Sequence, residues 1–270
     1  MNFIEHVVAE KHREIATAKS AHPAAYLLAS AHRKPSRDFH AAVSRQGAII
    51  AELKARTPTI SSFRHSDSLA ELAGIYARNG AAAISIVADP ARFGTSLADV
   101  TSVRETVTLP ILAKDFVIDA YQVIAARAAG ADAILLMVRL LDREHLHTLI
   151  ELSTQLGMSA LVETHSEAEI RTAVDAGARI IGINNRDFDT MTVSLDTTRR
   201  LAGFVPADTI LISESGIASR ADIEDLAARG ARAFLVGGSL LGAADPGATL
   251  RELAASPLRP DNAHASRVEP

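Results

Sequence analysis

The chain has 270 residues, of which 48% are hydrophobic and 22% charged, and its net charge is −4 at pH 7. This composition is typical of a globular protein and excludes a mostly disordered chain. The weakly acidic balance, without a basic block, argues against nucleic acid as a partner. No apolar run approaches the roughly 18 residues of a membrane span, and we expect no secretory signal, because the first 20 residues are charged and amphipathic without an apolar core. The absence of cysteine excludes disulfides and cysteine nucleophiles, so we expect a cytoplasmic enzyme that does not bind membranes.

The first 47 residues precede any strand-like run and are predicted to form a helical extension. Residues 2–19 carry apolar side chains at helical spacing, and 24–30 and 37–43 are predicted to be short helices. The extension could plug the end of the sheet at which the strands begin, or it could cover the mouth of an active site. The sequence leaves both roles open.

Eight short runs rich in Ile, Leu and Val follow, starting 21 to 34 residues apart. They are AIIAELK (48–54), AAISIV (82–87), LPILAK (109–114), AILLMV (133–138), SALVE (159–163), IIGIN (180–184), TILISE (209–214) and AFLVG (233–237). Each run is almost continuously apolar, as expected for strands of a parallel sheet that is buried on both faces.

Amphipathic stretches separate the runs, and several of them end in glycine, the residue favoured just past a helix C-terminus. Eight such strand–helix units predict an α/β fold, a (β/α)8 TIM barrel with the N-terminal helical extension 1–47. A doubly wound open sheet is the alternative, but no strand is followed by G-x-G-x-x-G. We expect a single barrel domain over residues 1–255 and a disordered tail over 256–270.

Polar residues collect where the runs end, which in a barrel is the face that carries the chemistry. They are Glu52, Lys54, Lys114, Glu163, Asn184, Arg186, Glu214 and Ser215. Glu52 and Lys54 are two apart on one strand, so both should point into the barrel mouth while Leu53 faces the helices. Buried charges are unfavourable unless paired, so their convergence predicts acid–base chemistry on an anionic substrate. The alternative is that some of them form structural ion pairs.

Small residues follow the last two runs, in SESGI (213–217) and GGSL (237–240). These are the loops in which barrels often bind phosphate, because glycine lets backbone N–H groups approach the oxygens. Phe93 and Phe116, after the second and third runs, could stack on an aromatic substrate. The ten histidines are scattered without an H-E-x-x-H motif, so no metal site is expected.

The segments IIAELKARTPT (49–59), PILAKDFVIDAYQ (110–122) and IGINNRDF (181–188), together with SESGI, resemble the indole-3-glycerol phosphate synthase family. The resemblance covers about residues 3–253 and implies a lyase of tryptophan biosynthesis. Such an enzyme closes, decarboxylates and dehydrates 1-(2-carboxyphenylamino)-1-deoxyribulose 5-phosphate. It implies a small phosphorylated substrate and neither a cofactor nor a metal.

The resemblance also implies roles for individual residues. Lys114 matches the general acid of ring closure, and Asn184 would orient the acid–base groups. Glu163 matches the base of dehydration, although Glu52 with Lys54 could run this step instead. The residues expected to bind substrate are Arg186, Lys54 and Thr57 at the carboxylate, Phe93, Phe116 and Leu135 at the ring, Ser215, Gly216, Gly237, Gly238 and Ser239 at the phosphate, and Glu214.

Three positions depart from the family's usual motifs, and all lie in loops after the first two strands: Ser61, Ala88 and Thr95. They could be neutral changes, or they could mark a relative that acts on a modified anthranilate-derived substrate. A relative that binds a phosphorylated ligand without turning it over is a further alternative. Another phosphate-binding barrel isomerase is disfavoured, since phosphoribosylanthranilate isomerase lacks the K-D-F segment and normally uses cysteine. We expect a monomer or a weak homodimer.

Overall fold

A computed structural model of the chain describes residues 3–31, 34–57 and 68–255. Eight parallel strands in this part of the chain close into a barrel in which each strand pairs with its neighbours in sequence and β8 pairs with β1. The strands are β1 (Ala48–Leu53), β2 (Ala83–Val87), β3 (Ile111–Lys114), β4 (Ala133–Met137), β5 (Ser159–Thr164), β6 (Ile180–Asn184), β7 (Ile210–Glu214) and β8 (Ala231–Val236). The predicted (β/α)8 barrel is therefore confirmed.

Helices precede the barrel and alternate with its strands. They are α1 (Phe3–Ala21), α2 (Ala24–Ala31), α3 (Phe39–Val43), α4 (Leu69–Arg78), α5 (Pro90–Phe93), α6 (Leu97–Thr106), α7 (Ala120–Ala129), α8 (Arg143–Gln155), α9 (Glu167–Asp175), α10 (Asp196–Leu201), α11 (Arg220–Ala227), α12 (Gly238–Leu241) and α13 (Pro246–Ala254). Local sequence sets many of their ends. Ser68 and Glu71 form a capping box at the start of α4, and Gly130 ends α7 in the left-handed conformation.

The strands alternate between two buried layers, as the period of two predicts. On β1, Ile49 and Leu53 pack among the side chains between sheet and helices, whereas Ile50 lies in the cluster that fills the barrel interior. Because all eight strands run the same way, their C-terminal ends meet at one end of the barrel. We call this end the mouth.

The predicted strands match the observed ones to within two residues at each end. The third strand begins at Ile111 rather than Leu109, and the eighth begins at Ala231 rather than Ala233. The predicted tail 256–270 lies outside the described residues.

The N-terminal extension takes up both of the roles that the sequence left open. Lys11 of α1 reaches Asp89 and Asp115, which follow β2 and β3, so α1 lies against the loops at the mouth. Phe39 and Val43 of α3 are fully or almost fully buried at the opposite end, where they join the interior cluster next to the start of β1. The helix α2 packs on the outer helix α7.

Candidate active site

Lys114 lies at the centre of the mouth and joins two carboxylates from other strands. Its Nζ atom is 2.9 Å from Glu163 Oε2 and 3.3 Å from Glu214 Oε2. Lys114 ends β3, Glu163 lies next to the end of β5, and Glu214 ends β7. Both glutamates are almost completely buried. The structure therefore brings together three of the ionisable residues that the sequence places at strand ends.

A second ion pair lies on β1 and its following loop. The Lys54 ammonium group donates to Glu52 Oε1, so both side chains point to the mouth as predicted, while Leu53 faces the helix layer. The Glu52 carboxylate lies against Gly237, at the end of β8, and a Cβ atom there would collide with it. Glycine at this position therefore leaves the room that the carboxylate occupies.

The charges of this cluster separate the pKa values of its members. Burial alone would lower the pKa of Lys114, but the carboxylates of Glu163 and Glu214 outweigh it and hold that pKa above its usual range. Burial raises the pKa of Glu163, yet Lys114 reverses this and leaves it below its ordinary value. The same balance with Lys54 and Lys114 lowers the pKa of Glu52.

Glu214 behaves differently from the other two glutamates. Burial raises its pKa to about 7, and the nearby charge of Glu163 adds to this effect, although Lys114 opposes it. The second oxygen of Glu214, Oε1, is buried without a hydrogen-bond partner. This carboxyl group can therefore gain or lose a proton near neutral pH.

Two residues at the end of β6 add to the polar side chains at the mouth. Asn184 Oδ1 accepts the backbone N–H of Arg186 at 3.0 Å, and the Asn184 side chain helps lower the pKa of Glu163 through a hydrogen bond. The half-buried Arg186 donates to the Met191 carbonyl at 3.4 Å and is close enough to Glu52 to lower that pKa. Thr57, in the loop after β1, is also half-buried.

The loops after β7 and β8 meet beside these polar side chains. Ser215 and Gly216 both have positive φ angles, of 68° and 82°, a conformation that non-glycine residues such as Ser215 rarely adopt. Ser239 Oγ donates to the Ile217 carbonyl at 2.5 Å and so ties the two loops together. Gly216 and Gly238 are exposed at this junction, while Gly237 and Ser239 are half-buried.

The three predicted ring-pocket residues lie at different depths. Phe93 is half-buried and packs against the interior cluster, and Phe116 is 7% exposed with its ring centroid 5.8 Å from the Arg92 guanidinium. Leu135 is buried further down the barrel, because it is Met137, two residues later on β4, that pairs in register with Glu163.

Two polar residues of the site were not singled out from the sequence. His165, two residues after Glu163, has its Nε2 atom 3.6 Å from Glu163 Oε1. Asn185 donates to Ser213 Oγ at 3.0 Å and to the Ser215 carbonyl at 2.9 Å. The alternation of the strand could have indicated His165, since residues two apart share a face.

The departures after β2 have a local structural account. Thr95 is buried, and its hydroxyl donates to the carbonyl of Val87, the last residue of β2. Ala88 is buried and donates its N–H to the Lys114 carbonyl at 2.8 Å. Thr95 therefore supports the loop, and Ala88 bonds to β3 through its backbone. Ser61 lies outside the described residues.

In the part of the chain that the structure describes, no three His, Asp or Glu side chains form a group that could hold a metal ion. Among the same residues, no helix is both long and apolar enough to cross a membrane.

Comparisons with known proteins give one family. The family model described as indole-3-glycerol phosphate synthase matches residues 4–253. A protein of that name from Nocardioides sp. is 42% identical over 258 residues, which are 94% of this chain and 98% of that protein. Another from Dehalococcoides mccartyi is 45% identical over 212 residues, 77% of this chain and 82% of that protein.

The fold also resembles that of more distant solved structures. An N-acetylmannosamine-6-phosphate 2-epimerase from Clostridium perfringens superposes with a TM-score of 0.59 at 15% identity, over 76% of this chain and 93% of that one. A thiamine phosphate pyrophosphorylase from Pyrococcus furiosus gives a TM-score of 0.58 at 16% identity, over 78% and 94% respectively. At such low identity the likeness shows the barrel fold alone.

Proposed function

The chain belongs to the indole-3-glycerol phosphate synthase family, and from that premise we propose how its own side chains divide the work of the reaction. It is a lyase of tryptophan biosynthesis that carries out decarboxylative ring closure on a small phosphorylated substrate. In this family, 1-(2-carboxyphenylamino)-1-deoxyribulose 5-phosphate is closed, decarboxylated and dehydrated to indole-3-glycerol phosphate.

Lys114 is the general acid of ring closure, and the observation that carries this assignment is its position between Glu163 and Glu214. These carboxylates keep the ammonium group charged, so it enters the reaction with a proton to donate to the sugar carbonyl. The attraction between these carboxylates and the ammonium group also makes the ammonium a weaker acid. Neutralising Glu214, whose pKa is about 7, would weaken that attraction and make proton donation from Lys114 easier.

Glu163 is the base of dehydration in this scheme. Its lowered pKa keeps it ionised, and its Oε1 atom has no hydrogen-bond partner and is able to take up a proton. Both carboxylates accept from a lysine through one oxygen, Glu163 from Lys114 and Glu52 from Lys54. Glu163 is the better candidate because its second oxygen, Oε1, is buried without a partner. The Glu52–Lys54 pair instead shapes the carboxylate side of the site, and Asn184 positions Glu163.

The remaining assignments follow the chemistry of the substrate. Arg186, Lys54 and Thr57 bind the anthranilate carboxylate, since two of them are cations at the mouth. The phosphate is held where the two small-residue loops meet, and the aromatic ring enters beside Phe93 and Phe116, above Leu135. The residues proposed for the phosphate are Ser215, Gly216, Gly237, Gly238 and Ser239, with Glu214 contacting the substrate beside Lys114.

The test is turnover of 1-(2-carboxyphenylamino)-1-deoxyribulose 5-phosphate by the purified protein, without added metal, followed by indole fluorescence. The chain contains no tryptophan, so the product is measured without an indole background from the protein. Single-turnover CO2 release measured in parallel separates the steps, because decarboxylation precedes dehydration. We expect Lys114→Ala to lower both signals by about 10²–10⁴-fold.

Glu163→Gln should release CO2 at a near wild-type rate but form indole about 10²–10⁴-fold more slowly. Glu52→Gln serves as the comparison for the base. If Glu52→Gln delayed indole formation while Glu163→Gln did not, the base would be Glu52. Unchanged turnover by Lys114→Ala would contradict the assignment of Lys114 as acid, and binding of the substrate without turnover by the wild-type protein would contradict the proposed reaction.

We also propose that the protein works in the cytoplasm as a monomer or weak homodimer, without nucleic acid as a partner, and that residues 1–255 form one domain. Within the described residues, the exposed large apolar side chains are dispersed over α2, α9, the loop between β6 and α10, and the segment after α10. They are Tyr26, Val174, Met191, Val193 and Phe204. This dispersal supports a monomer. Light scattering during size-exclusion chromatography and limited proteolysis test the oligomeric state and the domain boundary.

A further inference from the structure

His165 contacts the proposed base but has no role in the scheme above. It is the first residue after β5, its side chain is 7% exposed, and its ring packs edge-on against Phe188 with 5.4 Å between the ring centroids. The imidazole is thus held in a fixed position beside the mouth. Its two ring nitrogens face two different carboxylates.

Glu169 determines which ring nitrogen carries the hydrogen. Its Oε2 atom accepts the backbone N–H of His165 at 2.7 Å and is 3.3 Å from His165 Nδ1. Although burial opposes it, contacts with His165 and Arg139 lower the pKa of Glu169, so this carboxylate is ionised and can only accept. The hydrogen of a neutral imidazole therefore lies on Nδ1, and Nε2 presents a lone pair.

The lone pair on His165 Nε2 faces a lone pair on the Glu163 carboxylate. His165 Nε2 and Glu163 Oε1 are 3.6 Å apart, both are buried, and neither has a hydrogen-bond partner. Buried polar atoms without partners are rare, and each calls for an explanation. Here a single added proton, on either atom, would satisfy both at once.

We propose that His165 is a positioning residue for Glu163. After Glu163 has taken the substrate's proton, His165 Nε2 accepts a hydrogen bond from the protonated carboxyl group and so stabilises it. The inference rests on the proposed role of Glu163 as the base of dehydration. It assigns the Glu169–His165 pair to the same step.

The protons balance over that step. A C–H bond breaks on the carbon next to the one that carries the hydroxyl group, and its proton passes to Glu163. Lys114, which gave its proton to the carbonyl in ring closure, first regains one from solvent, because loss of the substrate carboxylate as CO2 consumes one proton over the whole reaction. The electron pair of the broken C–H bond forms the new double bond and expels hydroxide, which leaves as water with this proton from Lys114. Rotation of the carboxyl group then brings the proton from the side of His165 to the side of Lys114, whose Nζ atom is 2.9 Å from Glu163 Oε2, and the transfer restores the charge of Lys114.

The kinetic test compares His165→Gln with His147→Gln. His147 on α8 is the matched control, because its ring likewise bonds on one side, to the Ala176 carbonyl at 3.0 Å, and faces a carboxylate, Glu151 at 3.8 Å, on the other. We expect His165→Gln to keep the wild-type KM and CO2 release but to slow indole formation by about 10- to 100-fold, less than the 10²–10⁴-fold of a whole acid–base residue. His147→Gln should match the wild type.

A purely structural role would give a different result, with both steps slowed equally or KM raised, and would overturn the proposal. So would unchanged indole formation in His165→Gln. If the wild-type protein itself fails to turn over the substrate, the proposed function fails and this inference fails with it.

A spectroscopic measurement serves if His165→Gln does not fold. Nitrogen NMR of the wild-type protein labelled in histidine should show the Nδ1–H tautomer for the ring that contacts Phe188, and Glu163→Gln should shift its Nε2 signal, because an amide N–H can donate there. An Nε2–H tautomer in the resting protein, or no shift of Nε2, would overturn the inference.

Discussion

Two glutamates share one lysine at the mouth, yet their pKa values move in opposite directions. Glu163 is nearer to Lys114, at 2.9 Å against 3.3 Å, and is also hydrogen-bonded by Asn184. Glu214 lacks such help, since its second oxygen has no partner and lies against Gly182. When two carboxyl groups share one cation, the charge of the first to ionise raises the pKa of the second. The site therefore holds one ionised base and one carboxyl group that titrates near neutral pH.

Glu214→Gln should make the protein more stable than the wild type, increasingly so as the pH rises from 5 to 8. The pKa of Glu214 rises from 4.5 to about 7 on folding, so its stabilising contribution is complete below pH 4.5 and is lost as the pH passes 7. A shift of that size corresponds to about 3 kcal/mol. Urea unfolding at several pH values measures the difference.

Glu105→Gln, which removes a charge from an exposed position on α6, is the control for Glu214→Gln. The surface variant should follow the wild-type pH dependence in parallel. If the free energy of unfolding of Glu214→Gln also followed the pH dependence of the wild type, Glu214 would not titrate in the buried cluster.

The sequence predicts which residues converge here but not how they differ. Period-two alternation and strand ends are local features, so Glu52, Glu163 and Glu214 could all be placed at the mouth from the chain alone. The separation of their pKa values depends on differences of a few tenths of an ångström between strands that are distant in sequence. The unpartnered atoms of Glu163 and His165 could not be predicted for the same reason.

At the scale of elements, α1 is attached to the mouth through a buried lysine. Lys11 is 2% exposed, and its Nζ atom is 2.9 Å from Asp115, 2.9 Å from Glu14 and 3.5 Å from Asp89. Asp115 directly follows Lys114 and precedes Phe116 of the proposed ring pocket. The helix therefore supports the loop that carries the general acid.

Lys11→Met should destabilise the protein by about 3–5 kcal/mol, because it removes a buried cation from the half-buried Asp115 carboxylate and from the buried Asp89. The pKa of Asp115 is already raised by burial even with Lys11 present. Lys19→Met is the matched control on the same helix, since the Lys19–Asp119 pair is exposed and should contribute less than about 1 kcal/mol. Urea unfolding gives both values.

The double variant Lys11→Met with Asp115→Asn distinguishes charge from packing. Removing the stranded charge should recover part of the lost stability. An equal loss in the single and double variants would show that Lys11 acts through its hydrocarbon stem rather than through the ion pair.

Strands were easier to predict than the helices around them. An apolar run buried on both faces has a distinct composition, so all eight strands were found with bounds within two residues. The alternation predicts a helix between the second and third strands but not its bounds, because the outward face of α6 (Leu97–Thr106) is polar and its buried positions are few. The position of α1 at the mouth depends on Lys11 meeting two distant loops, which no local pattern encodes.

At the scale of the whole molecule, the barrel is asymmetric along its axis. The interior is filled by apolar side chains from the start of the strands upward, such as Ala48, Leu112 and Ile210, and α3 closes that end. The charged cluster is confined to the mouth. Fold stability and chemistry therefore come from opposite ends of the same strands, which is the usual division in such barrels.

This division predicts that the charges at the mouth lower the stability of the barrel. Replacing a buried ionic group as a whole by neutral residues of similar volume is often stabilising by about 1–4 kcal/mol, whereas removing one partner destabilises by about 3–5 kcal/mol. We therefore expect Lys114→Met alone to be less stable than the wild type, since it leaves Glu163 and Glu214 buried without their cation.

The triple variant Lys114→Met, Glu163→Gln, Glu214→Gln should instead be more stable than the wild type and inactive. Urea unfolding of the three proteins at pH 8, where all the wild-type charges are present, measures the order directly. If the triple variant were no more stable than Lys114→Met, the cluster would be holding the mouth together. Its residues would then be structural ion pairs, the alternative that the sequence left open.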